Sequence, residues 1–232
     1  MMNKPSIQNF SQKGDLIGYL KNSIVKNLIE SIQTHGQATL LVSGGSTPKP
    51  LFEALSLEDI AWNKVTISLC DERIVPLSDP NSNANLVKAY LLQNYASKAN
   101  FVPLYNESDD VNVALEYANK LIDSFKTINV LILGMGEDAH TASLFPNNEK
   151  LKDGFDLNYS DSCITLKPTT ALYDRISITL KTILQAQNIY LHFEGENKKM
   201  VFQKALDSKD IFTYPIASVF QNRTQNIQVC TL

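Results

Sequence analysis

From Asp15 to Thr34 the apolar positions Leu16, Ile17, Leu20, Ile24, Val25, Leu28, Ile29 and Ile32 recur at spacings of three and four, and the run stops at His35-Gly36. That period predicts a helix lying with one face on a core. Thr39 to Ser43 then reads as a short buried strand, and Gly44-Gly45-Ser46-Thr47-Pro48 turns the chain into a helix through Leu55. Thr47 before Pro48 fits an N-cap followed by proline at the first helical position. Val65 to Cys70 is the next strand, ending on Asp71-Glu72-Arg73, and the polar run Ser78 to Asn83 leads into a helix from Ala84 to about Tyr95. Phe101 to Leu104 reads as a short edge strand, since Pro103 lacks a ladder donor. A helix over Val111 to Phe125 and a strand over Ile128 to Leu133 follow. Strand and helix alternate throughout, the pattern of a parallel sheet with crossover helices.

The last third is less regular. Cys163 to Leu166 and Arg175 to Leu180 alternate as half-buried strands, Asn188 to Phe193 is another strand, and Gly195 opens a helix through Leu206. Ile216 to Phe220 and Ile227 to Leu232 read as two more short strands. The fold class expected is therefore α/β, with a mostly parallel sheet flanked by helices and a few additional short strands in the C-terminal third. No repeat, low-complexity run or linker divides the chain, so residues 1–232 are expected to form a single domain.

Composition narrows the function. With 232 residues, 44% of them apolar and 19% charged, the chain is long enough to bury a sizeable core. A formal charge of −3 leaves no excess of Lys and Arg to cover a nucleic-acid backbone or an anionic membrane. Cys70, Cys163 and Cys230 are widely spaced and odd in number, which gives neither a metal spacing nor a disulfide framework and suits a reducing cytosol. Met1 to Phe10 is too polar for a signal peptide, and no segment approaches the roughly 18 apolar residues of a membrane span.

The stretch Leu131 to Pro146 carries the most chemistry. An apolar run stops at Gly134-Met135-Gly136, and Asp138 and His140 follow at once. In an open α/β sheet ligands collect beyond the carboxyl ends of the strands, so a histidine delivered there is placed to meet a substrate. An imidazole is mostly neutral near pH 7 and able to take a proton from water, and Asp138 is close enough in sequence to orient the ring. The Gly44, Gly45, Ser46, Thr47 turn is either an ordinary strand-to-helix connection or an anion cradle of backbone N–H groups at a helix start. It matches neither a nucleotide P-loop nor a dinucleotide fingerprint, so neither ATP nor NAD is expected. Arg73 can hold a phosphate or carboxylate through its planar fork, with Asp71 positioning it or the ligand's hydroxyls. Arg175 and Lys199 are further candidate cations. His35 and His192 read as structural. No G-x-S-x-G elbow accompanies the His and Asp, and no HExxH or clustered Cys/His set argues for a metal.

Taken together, Leu41 to Pro48, Asp71 to Pro76 with Asp79 and Ser82-Asn83, Gly134 to Pro146, and Arg175 to Leu180 resemble the signatures of the 6-phosphogluconolactonase family, in that family's order. The resemblance implies a Rossmann-like α/β domain that hydrolyses 6-phosphoglucono-δ-lactone to 6-phosphogluconate in the oxidative pentose phosphate pathway. It implies His140 as the base that takes a proton from the attacking water. Arg73, Arg175 and the Gly44 to Thr47 turn would hold the phosphate or the developing charge, with Asp71, Asn83 and Lys199 as further contacts. No cofactor is implied. The expected partner is a small sugar-phosphate lactone, with no nucleic acid and no membrane, bound by a cytoplasmic monomer or weak homodimer. The alternatives are a glucosamine-6-phosphate deaminase/isomerase, which would read DEY and GHIAFNEP where this chain has Asp-Glu-Arg and His-Thr-Ala-Ser-Leu-Phe-Pro, and a non-catalytic sugar-phosphate-binding regulator. One departure stands out: the family motif usually has glycine where this chain has Ala139. The backbone there is therefore expected to stay at negative φ and to leave His140 undisturbed.

Overall fold

The computed structural model of the chain describes residues 5–169, 171–222 and 227–232. The elements in order are β1 (Ser6–Asn9), α1 (Lys13–His35), β2 (Ala38–Val42), α2 (Lys49–Ser56), β3 (Val65–Leu69), β4 (Asp71–Arg73) and α3 (Asn83–Tyr90). They continue through β5 (Asn100–Phe101), α4 (Val111–Ser124), β6 (Val130–Leu133), α5 (Leu151–Phe155), β7 (Cys163–Leu166) and β8 (Arg175–Ile178). The chain closes with α6 (Leu180–Gln185), β9 (Asn188–Phe193), α7 (Glu196–Asp207), α8 (Ile216–Asn222) and β10 (Ile227–Thr231). Seven strands make a parallel sheet in the order β1-β10-β9-β6-β2-β3-β5, and β4, β8 and β7 make a small antiparallel sheet beside it.

The sheet centre follows directly from composition. All positions of β2 and β6 are buried, as a parallel sheet covered on both faces requires, and for that reason these strands read as apolar runs broken only by Thr39. Helix α1 buries Leu16, Leu20, Ile24 and Leu28, one side chain per turn, and ends where Gly36 adopts φ 77° and returns its N–H to Ile32 O. One contiguous apolar cluster joins these residues to Trp62, Tyr190, Phe193 and Phe220.

The order of the strands creates the crevice. Strand β2 lies between β3 and β6, and the chain leaves β2 through α2 toward β3 on one side, while the chain beyond β6 returns to β9 on the other. The two connections part above neighbouring strands, which opens a cleft at their carboxyl ends.

Several expectations need correction. Ile216 to Phe220, read as a strand, is part of helix α8, whose residues Ile216 to Phe220 are all buried; a short run buried all round has no amphipathic period to separate helix from strand. Strand β8 stops at Ile178, and α6 starts at Leu180 after Thr179. Asp71-Glu72-Arg73 is not the tail of β3 but a strand of the second sheet. Helix α3 ends at Tyr90 rather than Tyr95, and Asn94 turns to φ 47° beyond it. Thr47 does not cap α2: Pro48 occupies the N-cap position and no side chain caps that end. Strand β1 was hidden by its polar composition; it pairs only with β10, at the edge of the sheet.

Glu72 fixes α3 against β4. Its side chain is fully buried and accepts from Arg73 N and Asn83 N through Oε1, and from Ser82 Oγ and Ala84 N through Oε2. A carboxylate at a helix start satisfies orphan N–H groups and favours the positive end of the helix dipole. Burial pushes its carboxyl above the ordinary value, and the four donors, each needing a lone pair, offset part of that rise. Glu72→Gln would turn an amide N–H₂ toward two of those donors. The expected cost is about 2–4 kcal/mol, from leaving buried donors unpaired, read as a fall in the urea denaturation midpoint.

Candidate active site

The loops at the carboxyl ends of β2, β3, β6 and β9 enclose a cavity of about 240 Å³, walled by Gly44 to Pro48, Asp71, Arg73, Asn83, Gly134 to Gly136, His140, His192 and Lys198. A second cavity of about 590 Å³ adjoins it and is lined by Asp71, Arg73, Glu137, Asp138, His140, Phe145 and Arg175. Asp71, Arg73, His140 and Ala142 belong to both walls. His140 therefore stands between two spaces that each face cationic side chains.

The first wall is a set of close approaches. Ser43 Oγ donates to Ile132 O at 2.9 Å and accepts from Gly134 N at 3.1 Å, which ties the β2 loop to the β6 loop. A Cβ on Gly44 would overlap the Asn83 amide, so the glycine is required by contact. Asn83 in turn donates from Nδ2 to Asp71 O at 2.8 Å, and its buried Oδ1 has no partner among the described residues. Asp71 is 7% exposed and accepts from Ser143 Oγ at 2.6 Å.

The histidine is built by its loop. His140 Nδ1 lies 2.6 Å from Asp138 Oδ1, and the His140 backbone N–H also donates to that oxygen at 3.2 Å. A carboxylate only accepts, so in the neutral ring the proton sits on Nδ1 and Nε2 keeps its lone pair. The ring lies against Phe145, with centroids 4.3 Å apart. Burial pushes the Asp138 carboxyl up, but the hydrogen bonds and charge of His140 outweigh it and leave Asp138 below its ordinary value. The loop closes through Gly136 N to His140 O at 3.0 Å and Thr141 Oγ1 to Gly134 O at 2.9 Å. Helix α8 braces it from behind, since Ile216 N donates to Ala139 O at 3.0 Å.

Ala139 overturns one expectation: its φ is +65°. The strained conformation is nonetheless compatible with an intact Asp138–His140 pair. A left-handed residue costs roughly 1–2 kcal/mol, but its methyl group is fully buried, which returns about 0.8 kcal/mol. Alanine also lowers the unfolded-chain entropy by about 0.4–1 kcal/mol relative to glycine. The three terms nearly cancel, so an alanine is tolerated at a position suited to glycine.

Of the candidate residues, the structure brings Gly44, Gly45, Ser46, Thr47, Asp71, Arg73, Asn83 and His140 to the first cavity, and Asp138 and Arg175 to the second. Lys199 is not in either wall and pairs instead with Glu196 Oε1 at 2.8 Å. Its neighbour Lys198 faces the first cavity, because successive helix positions are about 100° apart and only one of the two can point inward. His192, read as structural, is 2% exposed and also walls the first cavity. Its Nε2 lies 3.2 Å from Glu194 Oε1, which sets the tautomer, and burial holds its imidazole well below the usual value. The clue to both was positional: His192 ends a buried strand, and Lys198 falls in the first turn of the following helix. Among the described residues no group of His, Cys, Asp and Glu is arranged to hold a metal ion, and no helix is long and apolar enough to cross a membrane.

The chain is similar in sequence and in fold to known proteins. Residues 11–229 match the family model described as glucosamine-6-phosphate isomerases/6-phosphogluconolactonase. The chain is 37% identical over 201 residues to the 6-phosphogluconolactonase of Pseudomonas putida, covering 87% of this chain and 83% of that one. It is 35% identical over 221 residues to that of Rhizobium meliloti, 95% of each. The crystal structure of a 6-phosphogluconolactonase from Shewanella baltica superposes with a TM-score of 0.95 at 37% identity, over 100% of this chain and 99% of that one.

Two substitutions test the loop. A Cβ on Gly136 would overlap the His140 ring and the Asp138 carboxylate, so Gly136→Ala is expected to displace the histidine and to lower turnover about 10²-fold or more, the contribution of a positioned base. By contrast, Ala139→Gly should shift stability by less than about 1 kcal/mol in either direction, since relief of strain is offset by the lost methyl burial. Turnover of Gly136→Ala beside the wild type checks the first, and chemical denaturation of Ala139→Gly checks the second.

Proposed function

The chain belongs to the glucosamine-6-phosphate isomerase/6-phosphogluconolactonase family, and on that premise we propose that it hydrolyses 6-phosphoglucono-δ-lactone to 6-phosphogluconate, the lactone-opening step of the oxidative pentose phosphate pathway. The observation that carries this reading is the 2.6 Å contact from His140 Nδ1 to Asp138, which leaves Nε2 as a bare acceptor on a residue that lines both cavities. A water placed there gives its proton to Nε2 as its oxygen adds to the lactone carbonyl, and Asp138 stabilises the imidazolium that forms. The C1–O5 bond then breaks, and the imidazolium returns the proton to the departing ring oxygen, which becomes the C5 hydroxyl. A lactone is an activated ester, so a positioned base and an oriented substrate suffice without a covalent intermediate.

The phosphate is assigned to the first cavity, where the backbone of Gly44 to Thr47 and the Lys198 ammonium converge. Arg73, which lines both cavities, faces the oxygen on which charge develops. Asp71 and the free Oδ1 of Asn83 are acceptors for sugar hydroxyls. We propose that the chain acts as a monomer or a weak homodimer. A cytoplasmic location fits three buried cysteines in the free thiol form.

Hydrolysis of freshly made lactone, corrected for its spontaneous opening, is the test. His140→Ala is expected to lower kcat by about 10²–10⁴-fold with little change in KM, while Lys198→Ala raises KM. Glucosamine 6-phosphate should release no ammonia with any of them. Equal rates in wild type and His140→Ala would remove the histidine from the reaction, and ammonia release would move the chain to the deaminase branch.

A further inference from the structure

Arg73 and Arg175 stand directly opposite each other across the β4–β8 pair, and both line the second cavity. Like charges placed opposite each other on a two-stranded ladder repel. Arg175 is moreover only 6% exposed, and a buried cation ordinarily has an acid beside it. None is present here: among the described residues no carboxylate oxygen lies within 4.0 Å of either guanidinium. Of the acids around them, Glu72 is engaged by four donors, Asp71 by Ser143 and Asp138 by His140, while Asp174 beside Arg175 is exposed to solvent and makes no ion pair with it. Each arginine gives one N–H to a backbone carbonyl, Arg73 to Asn81 and Arg175 to Tyr173. A guanidinium carries five donors, so most remain for something in the cavity. Burial and the neighbouring charge of Arg73 hold Arg175 below its ordinary value, and the charges of Asp71, Glu72 and Asp174 offset only part of that fall.

The phosphate does not supply that anion when it occupies the cradle of the first cavity. The reaction does. Opening the ring turns a neutral ester carbonyl into a carboxylic acid that releases its proton to solvent, leaving a carboxylate at the opposite end of the carbon chain from the phosphate, and the two cavities share the wall formed by Asp71, Arg73, His140 and Ala142. We propose that Arg73 and Arg175 form a carboxylate site that faces a neutral group in the lactone complex and is filled on ring opening. The open-chain phosphorylated aldonate, anionic at both ends, then binds more tightly than a ligand with the phosphate alone and restrains turnover as it accumulates. This rests on the hydrolase reading above. It makes Arg175 a residue for which charge on C1 matters more than charge on C6.

Three ligands separate the ends: 6-phosphogluconate, glucitol 6-phosphate with an alcohol in place of the carboxylate, and gluconate without the phosphate. Each is titrated calorimetrically into the enzyme and assayed as an inhibitor of lactone hydrolysis. In the wild type, 6-phosphogluconate is expected to bind about tenfold or more tighter than glucitol 6-phosphate, the scale of a charge-assisted bidentate contact. Arg175→Gln should bring the two within about twofold by weakening only 6-phosphogluconate, and Arg175→Lys, which keeps the charge but loses the fork, should leave an intermediate gap. Equal affinities in the wild type, or an unchanged gap in the folded Arg175 variants, overturn the carboxylate site while lactone turnover continues. A wild type that neither opens the lactone nor binds glucitol 6-phosphate overturns the hydrolase reading and this site together.

Discussion

The parting of two connections above neighbouring parallel strands is the constraint on which the rest depends. Because β2 and β6 are adjacent and their chains leave in opposite directions, the sheet cannot close over its own carboxyl edge, and a crevice forms without any residue being spent to hold it open. What the sequence must then do is line that crevice. It does so with glycines where chain meets side chain, Gly44 under Asn83 and Gly136 under His140, and with one hydroxyl, Ser43, that stitches the two loops together. Backbone compactness and catalytic geometry are the same property here, since the contacts that exclude a Cβ also fix the imidazole.

Charge is distributed on the same plan. The chain is acidic overall, with a net charge of −3, yet Arg73, Arg175 and Lys198 converge on the cavities. Local concentration of positive charge in a concave, partly dry space acts on an anionic ligand far more strongly than the net charge does. Glu72 shows the complementary device. It sits one residue from two cavity-lining side chains but is turned inward, where it caps α3 and fixes the short strand that carries Asp71 and Arg73. Three consecutive charged residues thus divide their work because alternate positions on a strand face opposite sides.

Ala139 shows how a site can absorb a local penalty. Its left-handed backbone carries strain, but the buried methyl and the stiffer unfolded chain offset it to within about a kcal/mol. The geometry it must deliver, a ring bonded to Asp138 and facing both cavities, is held by neighbouring contacts from Gly136, Thr141 and Ile216 rather than by residue 139 itself.

The parallel α/β architecture was legible in the residues, because buried strands and amphipathic helices impose different periods on the chain: β2, β6 and α1 were readable within a residue or two of their observed ends. His140, Asp138, Arg73 and the glycine turn were legible as well, since each follows a strand and so lies at the carboxyl edge. Helix α8 was not, as a segment buried on every side carries no period, and β1 was not, as an edge strand can be polar. Lys198 and Lys199 could not be told apart because adjacent residues share a composition and differ only in the direction a helix points them. The opposition of Arg73 to Arg175 lies further still from the sequence. It depends on the register of two strands about a hundred residues apart, and register is settled by packing and hydrogen bonding between segments, not by either segment alone.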